Sequence, residues 1–168
     1  MDGGQAPLEA LAAEVGARLR ERGERLATAE SCTGGWVAQC ATAIAGSSDW
    51  FERGFVTYSN EAKTEMLGVA PDTLARHGAV SPAVALEMAA GALRNSHAQW
   101  ALAITGIAGP SGGSAAKPVG TVCFAWAGPD DFSDCETRHF PGDRATVRRA
   151  AVEHALRGLL ARFAPLRA

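Results

Sequence analysis

The chain has 168 residues, 47 % of them apolar and 20 % charged, which suits one domain with its own core and excludes a disordered chain. Sixteen basic residues against eighteen acidic ones leave a net charge of −2, without the basic excess of a duplex-binding domain, so a small ligand is expected and nucleic acid is not. No apolar stretch approaches the ~18 residues that span a bilayer and no secretory signal opens the chain, so a cytoplasmic protein without membrane contact is expected.

Leu8, Leu11, Val15 and Leu19 recur at helical spacing and predict a helix over residues 7–22, stopped at Gly23. A short strand follows over 25–30 and ends at Ser31. Residues 33–44 read as a helix with Trp36, Val37 and Cys40 on one side, and Ser47-Ser48-Asp49 as a turn. Aromatic and β-branched content favours a strand over 50–58. Two short helices are predicted at 60–67 and 71–77. Ser81-Pro82, a capping serine ahead of a proline at the first helical position, opens a stronger helix to about residue 96. Strands are expected at 100–105, 121–127 and 134–140, the first two separated by a glycine-rich loop over 106–120. Asp143 leads into a last helix over 144–163, with Val147, Ala151, Ala155 and Leu159 along one face. Helices and strands interleave throughout, which predicts one α/β domain over residues 1–168, a mixed sheet with helices on its faces.

In such sheets ligands collect beyond the carboxyl ends of the strands, where loops meet helix N-termini. Three segments hold that position and should converge. In Thr28-Ala29-Glu30-Ser31-Cys32-Thr33-Gly34-Gly35, Ser31 sits at a sharp strand-to-helix turn, and the amides that follow are suited to an oxyanion or a phosphate. The same spacing fits a helix N-cap serine, and Cys32 is a competing nucleophile. In Tyr58-Ser59-Asn60-Glu61-Ala62-Lys63, an amine one helical turn past a strand end reaches a neighbouring strand's serine, and lysine serves as a base when burial lowers its pKa. A solvated lysine on a helix face also satisfies this pattern. The third segment runs from Thr105 through Gly106, Gly109, Gly112 and Gly113 to Lys117 and Gly120, and its glycines suit amides wrapped round an anion or a mobile connection. Arg144 and Arg148, at i and i+4, form either a phosphate clamp or ordinary surface charge. The four cysteines show no Cys-x-x-Cys spacing and the four histidines are scattered, so no metal site is expected.

The strings Thr28 to Gly35, Tyr58-Ser59-Asn60 with Lys63, and Leu67-Gly68-Val69 lie in one order with Gly78 to Ser81 and Thr105 to Pro110. With Lys117 to Gly120 and Gly142-Asp143-Arg144 they resemble the CinA C-terminal domain family, the nicotinamide-nucleotide amidases, over about residues 8–163. The resemblance implies a single three-layer α/β/α domain that hydrolyses the carboxamide of nicotinamide mononucleotide to nicotinate mononucleotide and ammonia. It casts Ser31 as nucleophile and Lys63 as base, with Tyr58 and Thr105 positioning groups. Cys32, Thr33, Gly34, Gly35, Asn60, Gly106, Gly109, Gly112, Gly113 and Arg144 would bind substrate, and no metal or redox cofactor would be required. A nucleotide- or partner-binding module without catalysis, or an amidase for another nucleotide, is compatible with the same strings. Trp50 and Phe51 beside a turn suggest an apolar surface for a second subunit, and similar proteins are often dimeric.

Overall fold

The computed structural model describes residues 4–163. In chain order they form α1 (Gln5–Arg22), β1 (Leu26–Glu30), α2 (Trp36–Thr42), β2 (Phe51–Val56), α3 (Asn60–Leu67), α4 (Pro71–His77), α5 (Pro82–Arg94), β3 (Trp100–Gly106), β4 (Thr121–Ala127), β5 (Ser133–His139) and α6 (Arg144–Arg162). The strands make one sheet in the order β2-β1-β3-β4-β5. β1 pairs in parallel with both β2 and β3, while β4 and β5 continue antiparallel, so the sheet is mixed as expected.

Residue size divides the two faces of the sheet. Along β3 and β4 the large residues Trp100, Leu102, Ile104, Val122, Phe124 and Trp126 alternate with Ala101, Ala103, Cys123, Ala125 and Ala127. The large set packs against α1, α2 and α6, and the small set against α5 and the end of α3. Period-two alternation sends each set to its own side, and the alanine face lets α5 lie close. Each fully buried Leu, Phe or Met contributes about 1.5–3 kcal/mol, so both helical layers are firmly held. The result is the three-layer α/β/α arrangement.

Caps set the helix starts that matter for the site. Ser59 Oγ accepts from the Ala62 amide at 3.0 Å and opens α3, and Asp143 Oδ1 accepts from the Thr146 amide at 2.9 Å and opens α6. Ser81 Oγ does the same for α5, accepting from the Val84 amide at 3.2 Å. α3 is brought against α5 at Gly91, where a Cβ would stand 1.9 Å from the Leu67 carbonyl oxygen. No residue but glycine permits that approach, and the approach sets the depth at which α3 carries its side chains.

The structure departs from expectation at α2, β2 and Trp50. α2 begins at Trp36 instead of residue 33, because Gly34 and Gly35 adopt left-handed φ values of 62° and 100°. β2 stops at Val56 instead of 58, because the Thr57 and Tyr58 carbonyls turn to a side chain described below. Trp50 is 1 % exposed, lodged against Gly16 in the core, so it offers no surface to a second subunit.

Candidate active site

The parallel strands β1, β2 and β3 finish at the same end of the sheet, and β5, running with them, delivers the start of α6 there. A cavity of about 230 Å³ opens at that end. Ser31 and Cys32 reach it from β1, Tyr58, Asn60 and Lys63 from the β2–α3 segment, Thr105 and Gly106 from β3, and Arg144 from α6. Gly106 is where backbone must come close, since a Cβ there would lie 3.0 Å from Cys32 Sγ and 2.8 Å from Val122 Cγ2. The three distant segments therefore meet in one crevice.

At its floor Lys63 Nζ lies 3.0 Å from Ser31 Oγ, 3.0 Å from the Thr57 carbonyl oxygen and 3.3 Å from that of Tyr58. Lys63 is 1 % exposed and Ser31 7 %. Among the described residues no carboxylate is within ion-pair distance of this amine. Burial therefore holds its pKa below the ordinary lysine value, opposed only by the nearby Cys32 sulfur. A neutral amine has two hydrogens and one lone pair. In the neutral form two carbonyls would take the hydrogens, and the lone pair would face the Ser31 hydroxyl. Such an arrangement is suited to a base beside a nucleophile.

Cys32 is a poor rival. Burial pushes its thiol up to about 11, even with the Arg148 charge pulling the other way, so the reactive thiolate is scarce at neutral pH.

The turn between β1 and α2 is organised by Glu30, a residue with no local motif to mark it. Glu30 is 1 % exposed. Its Oε1 accepts from Thr33 Oγ1 at 2.6 Å and from the Val37 amide at 2.9 Å, and its Oε2 from the Ala38 amide at 3.2 Å. Burial raises its pKa above the ordinary carboxylate value, outweighing these bonds and one from the Gly35 amide, which lower it. The first amides of α2, expected to receive an anion from the ligand, are thus already engaged by a carboxylate of the protein itself. Ser31 N donates to the Ile104 carbonyl, Gly34 N to that of Ser31 and Trp36 N to that of Thr33. Among residues 31–38, and within the described part of the chain, the amides of Cys32 and Thr33 are the two without such a partner. A lone acid closing a buried Ala-Thr-Ala strand was the signal available in the sequence.

The remaining candidates divide. Arg144 donates from Nη1 to the Gly109 carbonyl at 2.8 Å and from Nη2 to the Tyr58 hydroxyl at 3.2 Å, spanning the cavity mouth. Thr105 lines the cavity, yet its hydroxyl donates to the Ala79 carbonyl at 2.9 Å and anchors the loop ahead of α5. Asn60 lies at the rim. Thr33 is fully buried with its hydroxyl on Glu30, and Gly34 and Gly35 shape the turn without lining the cavity. Gly112 and Gly113 are exposed and away from the lining. Arg148 faces the β1–α2 turn instead of the cavity, donating to the Cys32 and Thr33 carbonyls. A second groove of about 340 Å³, between α3 and α4, is lined by Glu61, Thr64 and Glu65 but by no cation. Among the described residues no three His, Cys, Asp or Glu side chains gather as a metal-ion site.

The chain is 57 % identical over 153 residues to the nicotinamide-nucleotide amidohydrolase PncC of Escherichia coli strain K12, covering 91 % of this chain and 93 % of that protein. It is 51 % identical over 155 residues to the PncC of Pseudomonas putida, covering 92 % and 96 %. A CinA-like protein of Syntrophobacter fumaroxidans is 55 % identical over 148 residues, which are 88 % of this chain and 35 % of that longer protein. Among solved structures, the competence/damage inducible protein CihA of Agrobacterium tumefaciens superposes with a TM-score of 0.89 at 48 % identity, covering 92 % and 94 % of the two chains. The family profile of the CinA C-terminal domain matches residues 8–163, and the chain belongs to that family.

Proposed function

We infer that the chain is a nicotinamide-nucleotide amidohydrolase, and that Ser31 and Lys63 carry its reaction. The observation behind this reading is the 3.0 Å contact between the Ser31 hydroxyl and a buried amine at the floor of the cavity. Two relatives of more than half identity bear the name of that activity. A carboxamide is a weak electrophile, so its hydrolysis needs an activated nucleophile and donors for the tetrahedral oxyanion.

Ser31 Oγ attacks the carboxamide carbon while its proton passes to neutral Lys63 Nζ. The oxyanion is met by the Cys32 and Thr33 amides, the two left over after Glu30 and the turn carbonyls have taken the rest. Collapse breaks the carbon–nitrogen bond, and the nitrogen leaves as ammonia with the proton from Lys63. Water then attacks the nicotinoyl ester, giving one proton to Lys63, which returns it to Ser31 Oγ as the acid departs. Arg144, Tyr58 and Asn60 at the mouth hold ribose and phosphate. Residues 8–163 act in this reading as one amidase domain. Four free thiols support a reducing, cytoplasmic setting.

The test is ammonia release from nicotinamide mononucleotide and from its dephosphorylated nucleoside. Turnover with the nucleotide, weaker turnover without the phosphate, and none in Ser31→Ala are expected. Saturable binding without ammonia would make the chain a binding module, and turnover in Ser31→Ala would remove the covalent scheme.

A further inference from the structure

Arg148 lies one helical turn beyond Arg144 on α6, but its guanidinium is spent differently. Nε donates to the Cys32 carbonyl at 3.0 Å and Nη2 to the Thr33 carbonyl at 3.2 Å. Its central carbon stands over the Trp36 ring, 5.5 Å from the centroid, and the indole is itself fixed by a 2.8 Å bond from Nε1 to Gln5 Oε1. On the other side of the same turn, Glu30 holds the Thr33 hydroxyl and the amides of α2. The segment following Ser31 is therefore clamped between a guanidinium on its carbonyls and a buried carboxyl group on its hydroxyl and amides.

We infer that Arg148 is a positioning residue for the amidase reaction, fixing and polarising the turn that carries Ser31. In a trans peptide the N–H lies opposite the C=O. Drawing the Cys32 carbonyl toward Arg148 thus directs the Thr33 N–H away from it, and drawing the Thr33 carbonyl does the same for Gly34. The Gly34 N–H closes the turn on the Ser31 carbonyl at 3.0 Å. The Thr33 N–H has no such partner. A positive charge behind the carbonyl of a peptide unit strengthens the donor at its other end, as hydrogen bonds in series polarise one another. Arg148 acts through the peptide between Cys32 and Thr33 and touches no substrate, whereas Arg144 stands in the cavity. The two arginines of one helix face then have separable kinetic signatures, Arg144 in substrate affinity and Arg148 in turnover.

The inference rests on Ser31 being the nucleophile, and the experiment keeps the two questions apart. Ammonia release from nicotinamide mononucleotide is measured for the wild-type protein, Arg148→Met, Arg148→Lys and Trp36→Leu, with circular dichroism and thermal unfolding of each. Arg148→Met keeps the apolar stem and loses the charge. A misplacement of about 1 Å at a reacting group costs ~10²-fold in rate, so its kcat is expected to fall by that order while KM stays within about threefold. Arg148→Lys, with one donor centre in place of a planar fork, recovers part of the loss, and Trp36→Leu shows a smaller fall in kcat. Addition of millimolar guanidinium to a folded Arg148→Ala variant raises its kcat. An unchanged kcat in Arg148→Met, or a rise in KM with kcat preserved, overturns the inference and returns Arg148 to a structural or phosphate-binding role. If Arg148→Met does not fold, Arg148→Lys and Trp36→Leu decide by the same split. A wild-type protein that releases no ammonia overturns the amidase reading instead.

Discussion

Replacing Lys63 with methionine separates its two effects, on turnover and on stability. The methionine fills nearly the same volume but has no base, and kcat is expected to fall ~10²–10⁴-fold. For stability, the sign follows from the buried amine. Its folded pKa lies below the ordinary 10.5, so between those two values the unfolded chain holds a proton that the folded chain has released. Wild-type stability therefore rises with pH across that window, by up to ~1.4 kcal/mol per pH unit. The variant loses this slope. It also leaves the Thr57 carbonyl in a buried site without its donor, a cost of ~1–3 kcal/mol that does not depend on pH. Urea unfolding of both proteins at intervals from pH 6 to 9 gives the difference, in which titrations common to the two chains largely cancel. That difference should shift toward the wild type as pH rises. A flat difference, with kcat/KM that does not climb with pH over the same interval, would mean that Lys63 keeps its proton and cannot act as the base.

Three other outcomes follow from the site. Iodoacetamide at pH 7.5 should label half-buried Cys135 well before Cys32, whose thiol is held near 11 by burial; peptide mass spectrometry reads the order, and early Cys32 labelling with loss of activity would revive it as nucleophile. Glu30→Gln places an NH₂ group against the Ala38 N–H or one of the donors now on Oε1. Urea unfolding should show a loss of ~1–3 kcal/mol, and an unperturbed midpoint would argue against the clamp. Arg144→Leu should raise KM for the nucleotide ~10-fold or more with kcat nearly preserved, because Arg144 stands at the mouth and not at the reacting carbon; a selective fall in kcat would place it in the chemistry.

Much of this architecture is readable in local patterns. Ser59 and Asp143 announce α3 and α6, Ser81-Pro82 announces α5, and the alternation of β4 fixes both its faces. The pairing of Ser31 with Lys63 follows from strand ends in a parallel sheet, which local sequence does signal. What local pattern does not carry is the use of hydrogen-bonding capacity across long separations. The turn after Ser31 looks like an open anion site until the Glu30 carboxylate is seen to occupy its amides. Arg148 looks like half of a phosphate clamp until its bonds, 116 and 115 residues away in sequence, are seen to end on the Cys32 and Thr33 carbonyls. Trp50 looks like surface beside a turn because Gly16, the residue that makes room for it, lies on a different helix. In each case the deciding partner is distant along the chain and ordinary in composition.

The central chemistry is tested most directly by acid-quenching the protein during turnover of nicotinamide mononucleotide and mapping the modified peptide by mass spectrometry. The account predicts the acyl portion of the substrate esterified to Ser31, absent from Ser31→Ala and accumulating least in Lys63→Met. An adduct on Cys32, or full ammonia release by the Ser31→Ala protein, would contradict it.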